Sequence, residues 1–341
     1  MSASPQLRPA DYNQGHPATL PLDPSLTPSE PRPFADPASF TSSPGLTPEE
    51  VEHFKREGFI VKRGLVRDDA AFEAVSNCIW SNVPRDLMQA DDVTSWIDPP
   101  EEAWTEADAL RVGLLARHNW KMRSSGRLGI GTEDFLVERI AQHPDLMKVV
   151  EALIGAPAMR PRRVRGVYCV FPAGPATAEH VSPHTDYMAA HLSAMVIADD
   201  IAPRGGGFMV WPGSHTRLHG FWRTVHGSAM APDKGPAFLA AREAALREIE
   251  PVEFTGARGD VVLWHPRLLH SAGVNRSADS SKPQVRVIIP CDYQRERPDY
   301  FDDDQFGPGE AYQWWIDTRN FASDVPPTPE NMWDDWGLRS D

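Results

Sequence analysis

Residues 181–200 read VSPHTDYMAAHLSAMVIADD. A histidine and an aspartate, His184 and Asp186, stand two apart just before an apolar run. In an extended chain residues i and i+2 point to the same face, so this pair can reach one ion together. Taken alone it is equally well two polar residues at a strand end, and a third ligand decides between the two readings. The run that follows, LSAMVIADD (192–200), is short and rich in strand formers.

Working outward, similar short runs recur. GVYCVF (166–171), SPHTDY (182–187) and GFMVW (207–211) flank it, and PVEFT (251–255), DVVLW (260–264), LLHSA (268–272) and VRVIIPCDY (285–293) follow. Turn residues punctuate them in PRGGG, WPGSH, TGARGD and SAGVNRS. Eight such runs predict a mainly β fold with flanking helices, a sandwich or jelly roll rather than a parallel sheet. An insert at 213–250 interrupts them, and within it GPAFLAAREAALREIE reads as a helix.

Before residue 160 the pattern is mainly helical. LTPEEVEHFKREGFIV carries Thr47 as N-cap, Pro48 in the first turn, Glu50 to close a capping box, and Gly58 as a stop. FIVKRGLV then reads as a strand and RDDAAFEAVSNCIW as a helix. The span 82–130 reads as short helices and loops, and TEDFLVERIAQHPDLMKVVEALIG as two helical stretches broken at Pro144 and ending at Gly155. Residues 1–45 hold ten prolines. Such a stretch buries too little apolar surface to offset its ordering entropy, so it is expected to be a flexible or draped arm whose removal leaves the domain intact. The expected division is therefore an arm (1–45) and a single domain (46–341). The domain comprises a helical part (46–160), a β core (161–295) and a tail (296–341) that wraps the domain through Trp314, Trp315, Trp333 and Trp336.

Composition narrows the function classes. The 341 residues carry a formal charge of −14, which argues against nucleic acid and anionic membrane as partners. No apolar run reaches membrane-spanning length, and the N-terminus lacks the basic-then-apolar pattern of a secretory signal. Cys78, Cys169 and Cys291 are far apart and two lie in apolar runs, so buried free thiols in a reducing cytoplasm are expected. No feature calls for an obligate protein partner.

Two nitrogens and one carboxylate on one face of an ion leave the opposite octahedral face open, an arrangement suited to Fe(II). Of the twelve histidines, the downstream candidates for the third ligand on strand-like segments are His265 and His270 in GDVVLWHPRLLHSAGVNRS. His215 and His219 in PGSHTRLHG read as turn and surface residues.

From LTPEEVEHFKREGFIV to VRVIIPCDY the chain resembles the phytanoyl-CoA dioxygenase family, Fe(II)/2-oxoglutarate oxygenases on a double-stranded β-helix (jelly roll, cupin-like). The resemblance rests on the capped helix leading to GFIVKRGLV, then PHTD, VIADDIAPRGGGFMVWPGSH, GDVVLWHPRLLHSAGVNRS and VRVIIPCDY, in the family's order. It implies His184, Asp186 and His270 as metal ligands, with His265 structural. It also implies Arg286, at the start of the last core strand, as the anchor of the 2-oxoglutarate distal carboxylate, with Arg276 as runner-up. A guanidinium fork suits a carboxylate better than an ammonium does. Ser271 and Tyr168 are further 2-oxoglutarate contacts on this reading. Two positions depart from the family pattern. Met195 stands where a tryptophan is common, and Ala272 where a hydroxyl is common, with Ser271 one residue earlier.

The implied cofactors are Fe(II), 2-oxoglutarate and O2, and the implied reaction oxidises a small molecule with release of succinate and CO2. Asp186 favours hydroxylation, desaturation or ring formation over halogenation, because related halogenases replace that carboxylate with a small residue. Lys121, Arg123, Arg165, His191 and Trp222 are candidates to line the substrate site. The alternative reading is a cupin-like metal-binding protein without oxygenase activity, an isomerase or a binder, which would have no need of Arg286.

Overall fold

The computed structural model describes residues 31–83, 88–97, 119–123, 130–174, 183–186, 192–225, 228–232, 235–295, 328–334 and 336–340. For residues 119–121, 123, 222–225 and 228–232 the description is confined to the backbone.

Twelve strands are described: β1 (Arg32–Pro33), β2 (Phe59–Lys62), β3 (Asn119–Arg123), β4 (Gly166–Val170), β5 (Leu192–Ile197), β6 (Phe208–Val210), β7 (Trp222–Val225), β8 (Ser228–Pro232), β9 (Val252–Phe254), β10 (Val261–Trp264), β11 (His270–Ala272) and β12 (Arg286–Tyr293). Two sheets face each other. The larger runs β2-β10-β5-β12-β4-β3 and the smaller β1-β9-β6-β11, while β7 and β8 form a separate hairpin. Every pairing is antiparallel except β1 with β9. From β9 to β12 the chain alternates between the small and the large sheet, and two antiparallel-rich sheets packed together fit a jelly-roll core.

Seven of the eight expected runs are strands. The eighth, 182–187, is described at 183–186 only, where His184 makes an isolated antiparallel bridge to His270. It therefore takes the position beside β11 as a single rung rather than a regular strand. The NWKMR segment, expected within a region of short helices and loops, is instead β3 at the edge of the large sheet. Its polar–apolar alternation is a strand signal, but only five residues long.

Both faces of the large sheet are covered, which is why β5, β10 and β12 read as almost unbroken apolar runs. One face (Ala194, Val196, Val261, Leu263, Val287, Ile289) packs on the helices. The other (Met195, Ile197, Val262, Trp264, Ile288) meets Phe208, Val210, Val252 and Phe254 of the small sheet. The four longer helices are α1 (Pro48–Glu57), α2 (Asp69–Asn82), α3 (Pro144–Ile154) and α4 (Pro236–Glu248). The α4 helix lies in the expected insert, with Phe238 and Ala245 clustered against Met209 and Leu269 on the outer face of the small sheet.

The α1 helix has its full capping box, Thr47 accepting from the Glu50 amide and Glu50 accepting from the Thr47 amide. Gly58 ends it at φ 83°, where a Cβ would meet His215 Nδ1 at 2.6 Å, so both conformation and space call for glycine. Before α3, the stretch from Asp134 winds one α turn and then a π turn (Val137–Ala141).

The described part of the arm is draped on the domain. Phe34 donates its amide to Glu253 O (2.8 Å) and packs its ring against Phe59 and Phe254. Thr41 and Gly45 accept from Lys62, whose ammonium also meets Glu50 at 3.0 Å in a pair with no solvent exposure. At the other end, Trp333, Trp336 and Leu338 pack on the main core, and the Gly337, Leu338 and Arg339 amides donate to carbonyls of the last turns of α3. No helix among the described residues is long and apolar enough to cross a membrane.

Candidate metal centre

His184, Asp186 and His270 converge, each offering a ligand atom within 4.8 Å of the others. The His184 and His270 rings lie 4.5 Å apart, and His270 Nε2 is 3.6 Å from Asp186 Oδ2. Backbone pairing creates this convergence. His184 and His270 exchange both amide–carbonyl bonds, and Asp186 donates its amide to Pro266 O (3.0 Å). His270 Nδ1 lies 2.9 Å from Leu268 O. A carbonyl only accepts, so Nδ1 carries the proton and Nε2 keeps its lone pair for a metal. Two imidazoles and one carboxylate on one side of an ion fit Fe(II).

The carboxylate is held from behind. Arg165 donates from Nη1 to Asp186 Oδ1 (3.2 Å) and from Nη2 to Asp186 Oδ2 (3.1 Å). The same guanidinium grips Asp292 from Nε (2.7 Å) and Nη2 (2.6 Å), and the Ser193 hydroxyl donates to Asp292 at 2.9 Å. Burial alone would raise the Asp186 carboxyl, but Arg165, then His270 and His184, outweigh it and hold it well below the usual carboxylate range. Arg267 lies in the same neighbourhood. Burial pushes it down to about 9, with the charge of Asp186 opposing.

Arg286 begins β12 on the face that Ile288 and Asp292 share, toward the space between the sheets. It is 3 % exposed, and its guanidinium makes no hydrogen bond or ion pair with any described residue. Burial pushes it down to about 10, against the weaker pull of Cys169 and Glu253. A buried cation without a partner is costly, and a dicarboxylate would remove that cost.

The model of one protein family, phytanoyl-CoA dioxygenase (PhyH), matches residues 54–283, more than half of the sequence and all three converging ligands. The chain belongs to the phytanoyl-CoA dioxygenase family. No curated protein matches it. Among solved structures it is similar to AviO1 from Streptomyces viridochromogenes Tue57 (20 % identity, 73 % of this chain and 94 % of that one, TM-score 0.44). It is also similar to EctD from S. alaskensis with 2-oxoglutarate and 5-hydroxyectoine (18 %, 92 % and 94 %, 0.45). A third is the epimerase SnoN in complex with Fe3+, alpha ketoglutarate and nogalamycin RO (17 %, 78 % and 91 %, 0.45). Likeness at this level carries none of the argument that follows.

Against the resemblance to the phytanoyl-CoA dioxygenase family, the remaining candidates divide. Tyr168 pairs with Ile288 in register and packs against the cluster between the sheets, the side that Arg286 faces. Ser271 does not share the His270 face. It stands opposite Met209, and Leu269 two residues earlier belongs to the cluster under α4, so alternation turns its hydroxyl outward. Arg165, expected in the substrate mouth, is instead engaged beneath Asp186. Arg276 sits half-buried in the turn before β12. The side chains of Lys121, Arg123 and Trp222, and the whole of His191, lie outside the described residues.

His265 stacks on Trp336 (5.2 Å, 18°) and accepts from the Arg267 amide through Nδ1, in a structural role. His215 and His219 are not surface residues. Both are buried beside His265, and His215 also lies against Trp333. The covering aromatic comes from more than a hundred residues downstream, which local sequence does not reveal. The residues sequence reasoning passed over are Asp292 and Ser193. A charged residue inside the apolar strand VRVIIPCDY is itself a signal, since a buried carboxylate requires a partner.

Proposed function

We propose that this protein is a non-haem iron, 2-oxoglutarate-dependent oxygenase that hydroxylates or otherwise oxidises a small molecule, releasing succinate and CO2. The observation that carries the reading is Arg286, a buried guanidinium with no partner among the described residues, in a domain that also assembles a two-histidine, one-carboxylate cluster. A metal-binding relative without oxygenase activity needs the cluster but not the guanidinium.

When bound, Fe(II) together with 2-oxoglutarate and O2 supplies the oxidising power: decarboxylation of the co-substrate yields succinate and CO2, and one oxygen atom becomes available to the substrate. His184, His270 Nε2 and the Asp186 carboxylate would hold the metal, and Arg286 would receive the distal carboxylate of 2-oxoglutarate through its fork. Phe208 and Trp264, ring centroids 5.3 and 5.5 Å from His270, keep water from that side of the imidazole.

Succinate release by the purified protein, supplied with Fe(II), 2-oxoglutarate and O2 and screened against a panel of small metabolites, tests the reading. Turnover that requires all three and rises with one class of metabolite is expected. Absence of succinate across the panel, with iron bound, would favour the cupin-like alternative.

A further inference from the structure

We propose that Arg165 is a positioning residue that determines how Asp186 presents itself to the metal, and that Asp292 and Ser193 form the base on which it rests. The inference rests on the iron-site reading above and goes beyond it to the groups behind the carboxylate.

The geometry is a chain of four groups. Ser193 on β5 and Asp292 on β12 are neighbours in register, and the serine hydroxyl donates to the carboxylate. Asp292 takes two bonds from Arg165, which leads into β4, and Arg165 passes two bonds on to Asp186. Three adjacent strands of the large sheet thus anchor a residue whose own segment, among the described residues, makes one bridge to the small sheet. A guanidinium fork spanning two carboxylates is rigid and directional, which an ammonium is not. Each Asp186 oxygen takes one bond from Arg165, so the plane of the carboxylate is fixed, with Oδ2 3.6 Å from His270 Nε2.

Charge and orientation both act here, because the guanidinium that favours the Asp186 carboxylate is shared with Asp292. This permits a clean test. The double variant Arg165→Gln/Asp292→Asn removes one positive and one negative charge together, so the net charge around Asp186 is kept while the fork is lost. Co(II), whose d–d absorption reports coordination, is the probe, titrated into wild-type protein, Arg165→Lys, Arg165→Gln and the double variant.

Loss of a group that orients a metal ligand typically weakens binding by roughly 10–100-fold. We expect that loss in Arg165→Gln and in the double variant, a smaller one in Arg165→Lys, and an altered d–d spectrum in all three. Ser193→Ala, the mildest change, is expected to shift the spectrum in the same direction should Arg165→Gln fail to fold. Wild-type affinity and an unchanged spectrum in the folded double variant, or in Ser193→Ala and Arg165→Lys together, would overturn the proposal. Failure of wild-type protein to bind Co(II) at all would instead overturn the metal-site reading, so the two failures are distinguishable.

Discussion

His184 and His270 exchange both of their backbone hydrogen bonds, each 2.9 Å, although 83 residues separate Asp186 from His270 in the sequence. Two of the three proposed metal ligands are therefore the two halves of one antiparallel rung. Their side-chain spacing is set by main-chain geometry and not by the presence of an ion.

It follows that His184→Ala and His270→Ala keep the rung and lose the site. Each variant is expected to fold with a melting temperature within a few degrees of wild type while retaining almost no iron after loading and desalting. Melting curves and metal content measured on the same preparations check this. A variant that keeps stoichiometric iron would remove that histidine from the ligand set.

The unpaired cation predicts opposite effects on stability and on co-substrate binding. A buried charge without a partner is costly, and an apolar residue of similar length removes that cost. Arg286→Met should thus melt no lower than wild type without ligands. The same change removes one side of a buried charge pair with 2-oxoglutarate, a loss of about 2–5 kcal/mol, so the 2-oxoglutarate requirement should rise by at least tenfold with iron content unchanged. Equal 2-oxoglutarate dependence would move the anchor to Arg276 or elsewhere.

Acid should destabilise the fold through its buried histidines. Burial holds His215 down to about 4, only partly opposed by its bond to Lys55 O and by Glu57, and His53 and His219 are lowered likewise. A depressed histidine is protonated in the unfolded chain below about 6.5 but remains neutral in the folded one. Stability is complete above that pH and falls as pH drops toward 4, by up to about 1.4 kcal/mol per pH unit for each such group. His215→Gln should make the decline shallower by about one group's share, read from unfolding free energies between pH 4 and 6.5. An unchanged slope would mean that His215 titrates normally.

The arm and α1 meet at the Lys62–Glu50 pair. Removing one member of a buried pair costs about 3–5 kcal/mol, whereas removing both costs far less. Lys62→Met should be strongly destabilised, and Lys62→Met/Glu50→Gln should recover much of the loss in denaturant titrations. Deleting residues 1–45 should likewise destabilise the protein more than deleting 1–30, because Phe34 and Phe40 pack against Phe59, Phe254 and His53. Equal stability of the two truncations would show that the draped segment contributes nothing.

Much of this was legible in the sequence, for identifiable reasons. The β core announces itself because each strand is short and bounded by turn residues, and the α1 cap because Thr47, Pro48, Glu50 and Gly58 act locally. His184 and Asp186 signal a site through their period-2 spacing. What stayed hidden depends on contacts between distant segments. Arg165 reads as a residue of the substrate site until Asp292 is placed beside it. His215 and His219 look exposed until Trp333 and Trp336 cover that side. Ser271 stands one residue before the position where the family often has a hydroxyl, and in a strand one residue is the difference between the two faces.

The central claim is that three side chains hold Fe(II) while Arg286 seats 2-oxoglutarate beside it. Anaerobic titration followed by visible absorption tests this most directly. The account predicts a metal-to-ligand charge-transfer band that develops only when Fe(II) and 2-oxoglutarate are both present, with one equivalent of each, and that is lost in Asp186→Ala. Stoichiometric iron binding with no such band at saturating 2-oxoglutarate would contradict it.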